Sequence, residues 1–198
     1  LEPQLQAAAK AKIPVVTIMS GTSPHTLFDI TVNEYEVGAQ IGMYLLGLMN
    51  YEGGLLMQRY EGHGGTQARG RVMDIILEAN TGVKVVGQHS MARTQSWRED
   101  VKAGMEALIL KNAGLFKAIW TSFDGQAFVI DDLLQAQGYT KGQVLLTGVD
   151  GGQEAFNQAL ADILDGAPKE QITAGPYLFM SAVLVDATNV PEDGDWPW

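Results

Sequence analysis

The chain has 198 residues, 46% of them hydrophobic and 18% charged, which supplies enough apolar material for a core of ordinary domain size and leaves disorder without a compositional basis. Thirteen Lys and Arg against 23 Asp and Glu give a net charge of −10, a surface that repels phosphate backbones and argues against a nucleic-acid partner. Cysteine is absent, so disulfides, thiol nucleophiles and cysteine-ligated metals are excluded, and the longest apolar runs fall far short of membrane-spanning length.

Residues 1–12 read as a helix, with Leu5, Ala8 and Ala9 on one face. The run IPVVTI at 13–18 is apolar and rich in β-branched residues, and MSGTSP follows it. That pattern predicts a buried strand ending in a loop. Residues 22–31 read as a crossing between two lobes. Residues 34–49 are helical, with Val37, Ile41, Tyr44, Leu45 and Leu48 at helical spacing. The unit then repeats. Strands are predicted at 54–58, 83–87, 118–121 and 144–148, and helices at 66–80, 96–111, 126–137 and 153–164. Gly138 and Gly166 stop the last two helices. A short strand at 172–174 and a helix at 178–188 end the periodic part.

Strands separated by helices of this length predict right-handed crossovers and an α/β fold, a doubly wound parallel sheet with helices on both faces. Ligands of such sheets sit at the carboxyl ends of the strands. The segments there are 19–29, 59–65, 89–95, 122–125, 149–152 and 175–177. The helix-first opening and the aperiodic stretch 189–198 give the expectation of a piece of a longer protein. Its N-terminal portion would be missing.

Several residues in the edge segments could carry chemistry. Arg69 and Arg71 lie in GHGGTQARGR at 62–71. Glycines before a helix gather backbone N–H groups that suit an anion or a set of hydroxyls; a plain loop with two solvated arginines fits equally. Asp150 follows a predicted strand and precedes two glycines, so it either accepts ligand hydroxyls or caps the helix at 153. Asp124 is likewise a binding carboxylate or a helix cap. Trp97 beside a strand-end loop either stacks on a sugar ring or packs into the core, whereas Trp120, inside a strand, reads as core. His25, His63 and His89 share no metal-ligand spacing, so neither a metal nor another cofactor is expected. Nothing pairs a nucleophile with a base, and no nucleophile elbow is present.

Taken in order, IPVVTI at 13–18, Asn33 before a helix with Gly38 and Gly42, Arg69, DGQA at 124–127 and LTGVDG at 146–151 resemble the type I periplasmic binding proteins of sugar transporters, the ribose-binding type. The resemblance runs from about residue 1 to 188 and matches the end of that family's first lobe plus its second lobe: it implies that residues 1–32 close the first lobe and cross the hinge, 33–174 form the second lobe, and 175–198 hold a return crossing, a helix and a tail. It implies two lobes that close on a ligand like a clamshell. Arg69 matches the arginine that hydrogen-bonds the sugar, Asp150 the second-lobe aspartate that receives its hydroxyls, and Trp97 falls near an aromatic that covers the ring. The family's asparagine–aspartate pair stands here as Phe123 and Asp124. Its acidic–basic pair at the end of the first-lobe strand is Met19 and Ser20, and its glutamine after the last strand is Gly175. These departures remove polar partners and point away from ribose itself, toward a smaller, less hydroxylated or differently shaped solute.

The resemblance thus implies a monomeric, non-enzymatic solute-binding protein outside the cytoplasm. It would take a sugar or polyol and deliver it to the membrane permease of an ABC transporter, with hinge closure as its mechanism. Other readings share the fold: the effector domain of a lactose-repressor-type regulator, which requires an upstream helix-turn-helix, and a chemoreceptor-linked sensor. An α/β enzyme remains the distant alternative.

Overall fold

A computed structural model of the protein describes residues 1–150. Helix α1 (Glu2–Lys10) opens the chain. A two-stranded parallel pair follows, β1 (Thr17–Ile18) with β2 (Asp29–Ile30). The alternation then runs α2 (Glu34–Leu48), β3 (Gly53–Tyr60), α3 (Gly64–Ala79), β4 (Val83–Met91), α4 (Trp97–Lys111), β5 (Ala118–Thr121), α5 (Asp124–Ala136) and β6 (Leu145–Thr147). The four later strands form one parallel sheet in the order β4-β3-β5-β6.

Alternation along the strands divides the core between the two sheet faces. Leu55, Met57, Ala118 and Trp120 join Leu45, Leu46, Met73 and Ile76 under α2 and α3. Leu56 and Ile119 join Val101, Met105, Ile109 and Ile130 under α4 and α5. Helices therefore cover both faces, as the doubly wound expectation requires, and Trp120 is a core residue at 0% exposure. Two glycines let α2 and α3 approach. A Cβ on Gly38 would lie 2.9 Å from the Arg69 Cα, and one on Gly42 would lie 2.8 Å from the Ile76 Cδ1.

Three expectations need correction. The buried strand at 13–18 is only Thr17–Ile18; Ile13 is 57% and Ile18 66% exposed. Pro14 has no N–H to give a ladder, and β2 is the one strand that β1 pairs with among the described residues. That partner, β2, lies inside the segment read as a plain crossing. Strand β4 continues past Gly87 to Met91, because a register shift opposite Leu55 and Leu56 absorbs an extra residue as a β-bulge does.

The chain moves from β3 outward to β4, then returns across β3 to β5 and β6. The sheet's direction of growth thus reverses between β3 and β5, and the crevice for a ligand opens at their carboxyl ends. The segments predicted at 153–164, 172–174 and 178–188, and Gly175, lie outside the described residues.

Candidate functional site

At the switch point the ends of β3 and β5 are stitched together. The Tyr60 N–H donates to Ser122 Oγ at 3.0 Å, and the Ser122 N–H donates to the Gln58 carbonyl at 3.1 Å. Tyr60 and Phe123 therefore stand side by side, ring centroids 6.4 Å apart and edge to face. Trp97, the first residue of α4, meets Phe123 edge-on at 5.4 Å. All three rings pack partly on the core and remain partly open. The Arg98 guanidinium lies 4.6 Å over the Trp97 ring, a cation–π contact. Trp97 is thus neither a core side chain nor a bare stacking surface.

The charged part of the edge centres on Arg69, 3% exposed. Its Nε donates to Glu34 Oε2 at 2.6 Å and its Nη2 to Glu34 Oε1 at 3.1 Å. Its Nη1 donates to the Ser122 carbonyl at 2.9 Å, and Nη2 lies 2.9 Å from Asp150 Oδ1. One residue on α3 thereby ties together the start of α2, the end of β5 and the loop after β6. These contacts use four of the five guanidinium N–H groups.

Glu34 reaches Arg69 because of local sequence. Asn33 caps α2, its side chain accepting from the Glu36 N–H at 3.3 Å, and this sets Glu34 in the first turn. Opposite it, Gly65 has no Cβ; one would lie 2.5 Å from Glu34 Oε1. The Asp124 N–H donates to the Val149 carbonyl at 2.7 Å, which holds the β6 loop against the start of α5. The observed cap of α5 is Phe123, and the Asp124 carboxylate accepts instead from the Gly125 N–H at 2.7 Å.

Asp150 sits at φ +105°, a region that side chains rarely adopt and that clusters at ligand sites. Its side chain is 46% exposed, yet the carboxyl is crowded enough that burial pushes its pKa above the ordinary aspartate range. The Asp124 and Glu34 carboxylates push the same way, and the Arg69 ion pair opposes them without cancelling. The arrangement is a half-open carboxylate oriented by a buried arginine, beside a partly open aromatic strip. It can accept hydroxyl hydrogen bonds and hold an apolar ring face.

The remaining predicted residues are less directly engaged. Met19, at φ +51°, offers its carbonyl to His63 Nε2 at 2.7 Å, while His63 Nδ1 accepts from the Gly65 N–H at 3.2 Å and caps α3. This assigns the proton to Nε2 and links the β1 edge to the α3 start. The Ser20 hydroxyl donates to the Ile18 carbonyl at 2.9 Å, and its N–H donates to Asp29 Oδ1 at 3.2 Å. His89 bonds Gln58 Oε1 through Nδ1 at 2.8 Å, and His25 lies 3.7 Å from Glu2. A hollow of about 330 Å³ opens elsewhere, between the end of α1 and the residues around β1 and β2. Lys12, Ile13, His25 and Leu27 help to line it, and none of the sheet-edge residues does.

Sequence reasoning missed Glu34, Ser122 and Tyr60. Glu34 reads locally as an ordinary first-turn acid favoured by the helix dipole; its partner lies 35 residues away. The available signal was Gly65, a glycine inside a helix start with no turn to explain it. Tyr60 was reachable from the rule that the switch-point strands carry the site.

Three of the solved structures that this chain resembles illustrate the likeness. An ABC transporter solute-binding protein from Agrobacterium vitis, with bound allitol, is 25% identical with a TM-score of 0.68, over 80% of this chain and 55% of that one. The periplasmic binding protein component of the arabinose ABC transporter from Shewanella sp. ANA-3, bound to α- and β-L-arabinofuranose, is 21% identical with a TM-score of 0.68, over 87% and 59%. The 5-methylthioribose transporter solute-binding protein from Thermotoga lettingae TMO, in complex with 5-methylthioribose, is 21% identical with a TM-score of 0.71, over 80% and 49%. The latter two likenesses bear on fold alone. The chain spans about half to three-fifths of the length of these relatives. No curated protein matches it significantly. A family model described as a periplasmic binding protein domain matches residues 1–177, nearly the whole chain and all of the sheet edge built above. The chain belongs to the periplasmic binding protein domain family.

Proposed function

We propose that the chain is the ligand-binding part of a solute-binding protein that captures a small hydroxylated solute, a sugar or polyol. The protein holds it in an interlobe cleft and delivers it to an ABC-type permease outside the cytoplasm. In this reading residues 1–32 close the first lobe and cross the hinge, and residues 33–174 form the second lobe. The protein acts as a monomer, binding and releasing without chemical conversion. The observation that carries the reading is the pairing of Arg69 with Asp150 at the same sheet edge as Tyr60, Trp97 and Phe123. A carboxylate for hydroxyls beside aromatic rings is the chemistry a sugar needs. Allitol, arabinofuranose and 5-methylthioribose, bound by the relatives, are neutral and hydroxylated.

Titration with allitol, L-arabinose and ribitol, followed by tryptophan fluorescence, tests the reading. A saturable change is expected with at least one of them. In a background carrying Trp196→Phe and Trp198→Phe, Trp97→Leu should remove most of that change and leave the far-ultraviolet circular dichroism intact, because Trp97 meets Phe123 at the sheet edge while Trp120 is fully buried. The absence of any saturable change or thermal shift up to tens of millimolar would overturn it.

A further inference from the structure

Glu34 has no role in the function described so far. It is 8% exposed and grips Arg69 through both carboxylate oxygens, at 2.6 and 3.1 Å. Burying a carboxylate is costly, and one good partner seldom more than offsets the cost, so the pair calls for an explanation beyond stability. The sequence makes room for it at a second position: the missing Cβ of Gly65, which would lie 2.5 Å from Glu34 Oε1. The effect on Arg69 is specific. An arginine at a sheet edge is a ready hook for carboxylates and phosphates, because its fork matches them two bonds at a time. Here Glu34 occupies Nε and Nη2, the Ser122 carbonyl takes an Nη1 donor, and Asp150 takes the second Nη2 donor. One N–H remains, too few for a bidentate anion.

We propose that Glu34 is a specificity-determining residue that converts Arg69 from an anion hook into a neutral strut. It thereby restricts the site to uncharged hydroxylated solutes and rejects sugar acids and sugar phosphates. The inference rests on the sugar-binding reading and adds a charge rule to it. Two carboxylates, Glu34 and Asp150, contact Arg69, and a third, Asp124, acts on Asp150. Arg98 lies over Trp97, and Arg59 is paired with Glu61 and Asp74. An anionic ligand would meet carboxylate repulsion where it seeks a cation, and in a partly desolvated site each such term is worth a tenfold factor or more. Glu34 touches no solute in this arrangement. It acts through Arg69 and is a positioning residue.

The test compares five- and six-carbon alditols with their matching aldonates, using saturation-transfer NMR and thermal shift on the unaltered chain and on Glu34→Gln. The unaltered chain should bind an alditol at least about tenfold more tightly than its aldonate. Glu34→Gln frees the guanidinium's charge while keeping the side-chain shape, and should raise aldonate affinity relative to alditol affinity by about tenfold or more. A purely structural role for Glu34 would weaken both ligands alike and leave the ratio unchanged. An aldonate bound as tightly as its alditol by the unaltered chain overturns the inference, even if the variant fails to fold. Anion binding gained by Glu34→Gln without any alditol binding supports the charge rule and overturns the sugar reading. Failure of both proteins to bind either class overturns both.

Discussion

At the scale of single residues, Asp150 combines three properties that rarely coincide: a positive φ, an ion pair with a buried arginine, and a half-open carboxylate. Its pKa is raised, by burial first. For a carboxyl whose folded-state pKa lies above its unfolded one, protonation favours folding. The favourable contribution is complete below the ordinary aspartate value and is lost as pH rises through the raised one. Asp150→Asn keeps the side-chain shape and removes that penalty. We expect the variant to be at least as stable as the parent near neutral pH. The difference should shrink toward zero as pH falls below the ordinary aspartate range, as denaturant melts across pH would show. The same variant should bind alditols more weakly by about 1.5–3 kcal/mol, the usual worth of a hydrogen bond to a charged group. A variant that binds normally and is strongly destabilised at neutral pH would make Asp150 a structural residue only. Asp150 was legible in the sequence because a strand-end carboxylate before glycines is a local pattern. Its partner relation with Arg69 and Glu34 was not, since ion pairs across 35 and more residues leave no spacing signal.

At the scale of elements, the α2–α3 contact shows why identical residues differ in meaning. Gly38 and Gly47 both lie in α2, and both read in sequence as weak helix positions. A Cβ on Gly38 would lie 2.9 Å from the Arg69 Cα and 3.3 Å from its carbonyl oxygen, backbone that cannot swing aside; on Gly47 the nearest atom is the Tyr51 hydroxyl at 3.9 Å. Gly38→Ala should therefore destabilise by about 1–3 kcal/mol through overpacking, and it should also loosen the Glu34–Arg69 pair at that contact. Gly47→Ala should stabilise by about 0.5–1 kcal/mol, as alanine normally does in an open helix. Equal effects in urea melts would refute the contact. Helix and strand order was readable because apolar periodicity is a local property. The limits of β4 were not. Gly87 reads as a strand end, and only pairing with β3, whose register slips between Leu55 and Leu56, shows that the strand continues. Likewise Asp29 and Ile30 carry too short a pattern to announce a strand; β1 opposite them makes it one.

At the scale of the molecule, burial is uneven. No residue before Glu34 is buried, and α1 contributes none to either core. The β1–β2 pair exposes Ile18, Phe28 and Ile30 by 66%, 52% and 54%. Its cross-chain backbone bonds run from the Thr17 N–H to the Phe28 carbonyl, from the Met19 N–H to the Ile30 carbonyl and from the Leu27 N–H to the Val15 carbonyl. Two short strands without a packed face are marginal in water, and opening them uncovers no core. Strand β3 is the opposite case. It is paired on both sides, by β4 and β5, and Leu55, Leu56, Met57 and Gln58 are at 0–1% exposure between two helix layers. Opening it requires breaking both ladders and wetting both faces. Local opening free energies follow such contrasts, from near zero at unpacked segments to the global value in core strands. Hydrogen exchange should therefore separate the chain into two populations. The amides of Thr17, Met19 and Leu27 should exchange at least about a hundredfold faster than those of Leu56 and Met57, a gap of about 2.7 kcal/mol or more. An alditol bound at the sheet edge should slow the amides of Ser122 and Gly125 first. It should reach Met19 only if the His63 bridge at 2.7 Å couples the two parts. Equal protection of β1–β2 and β3 in the free chain would mean that residues 1–32 are held by packing stronger than their exposed side chains allow.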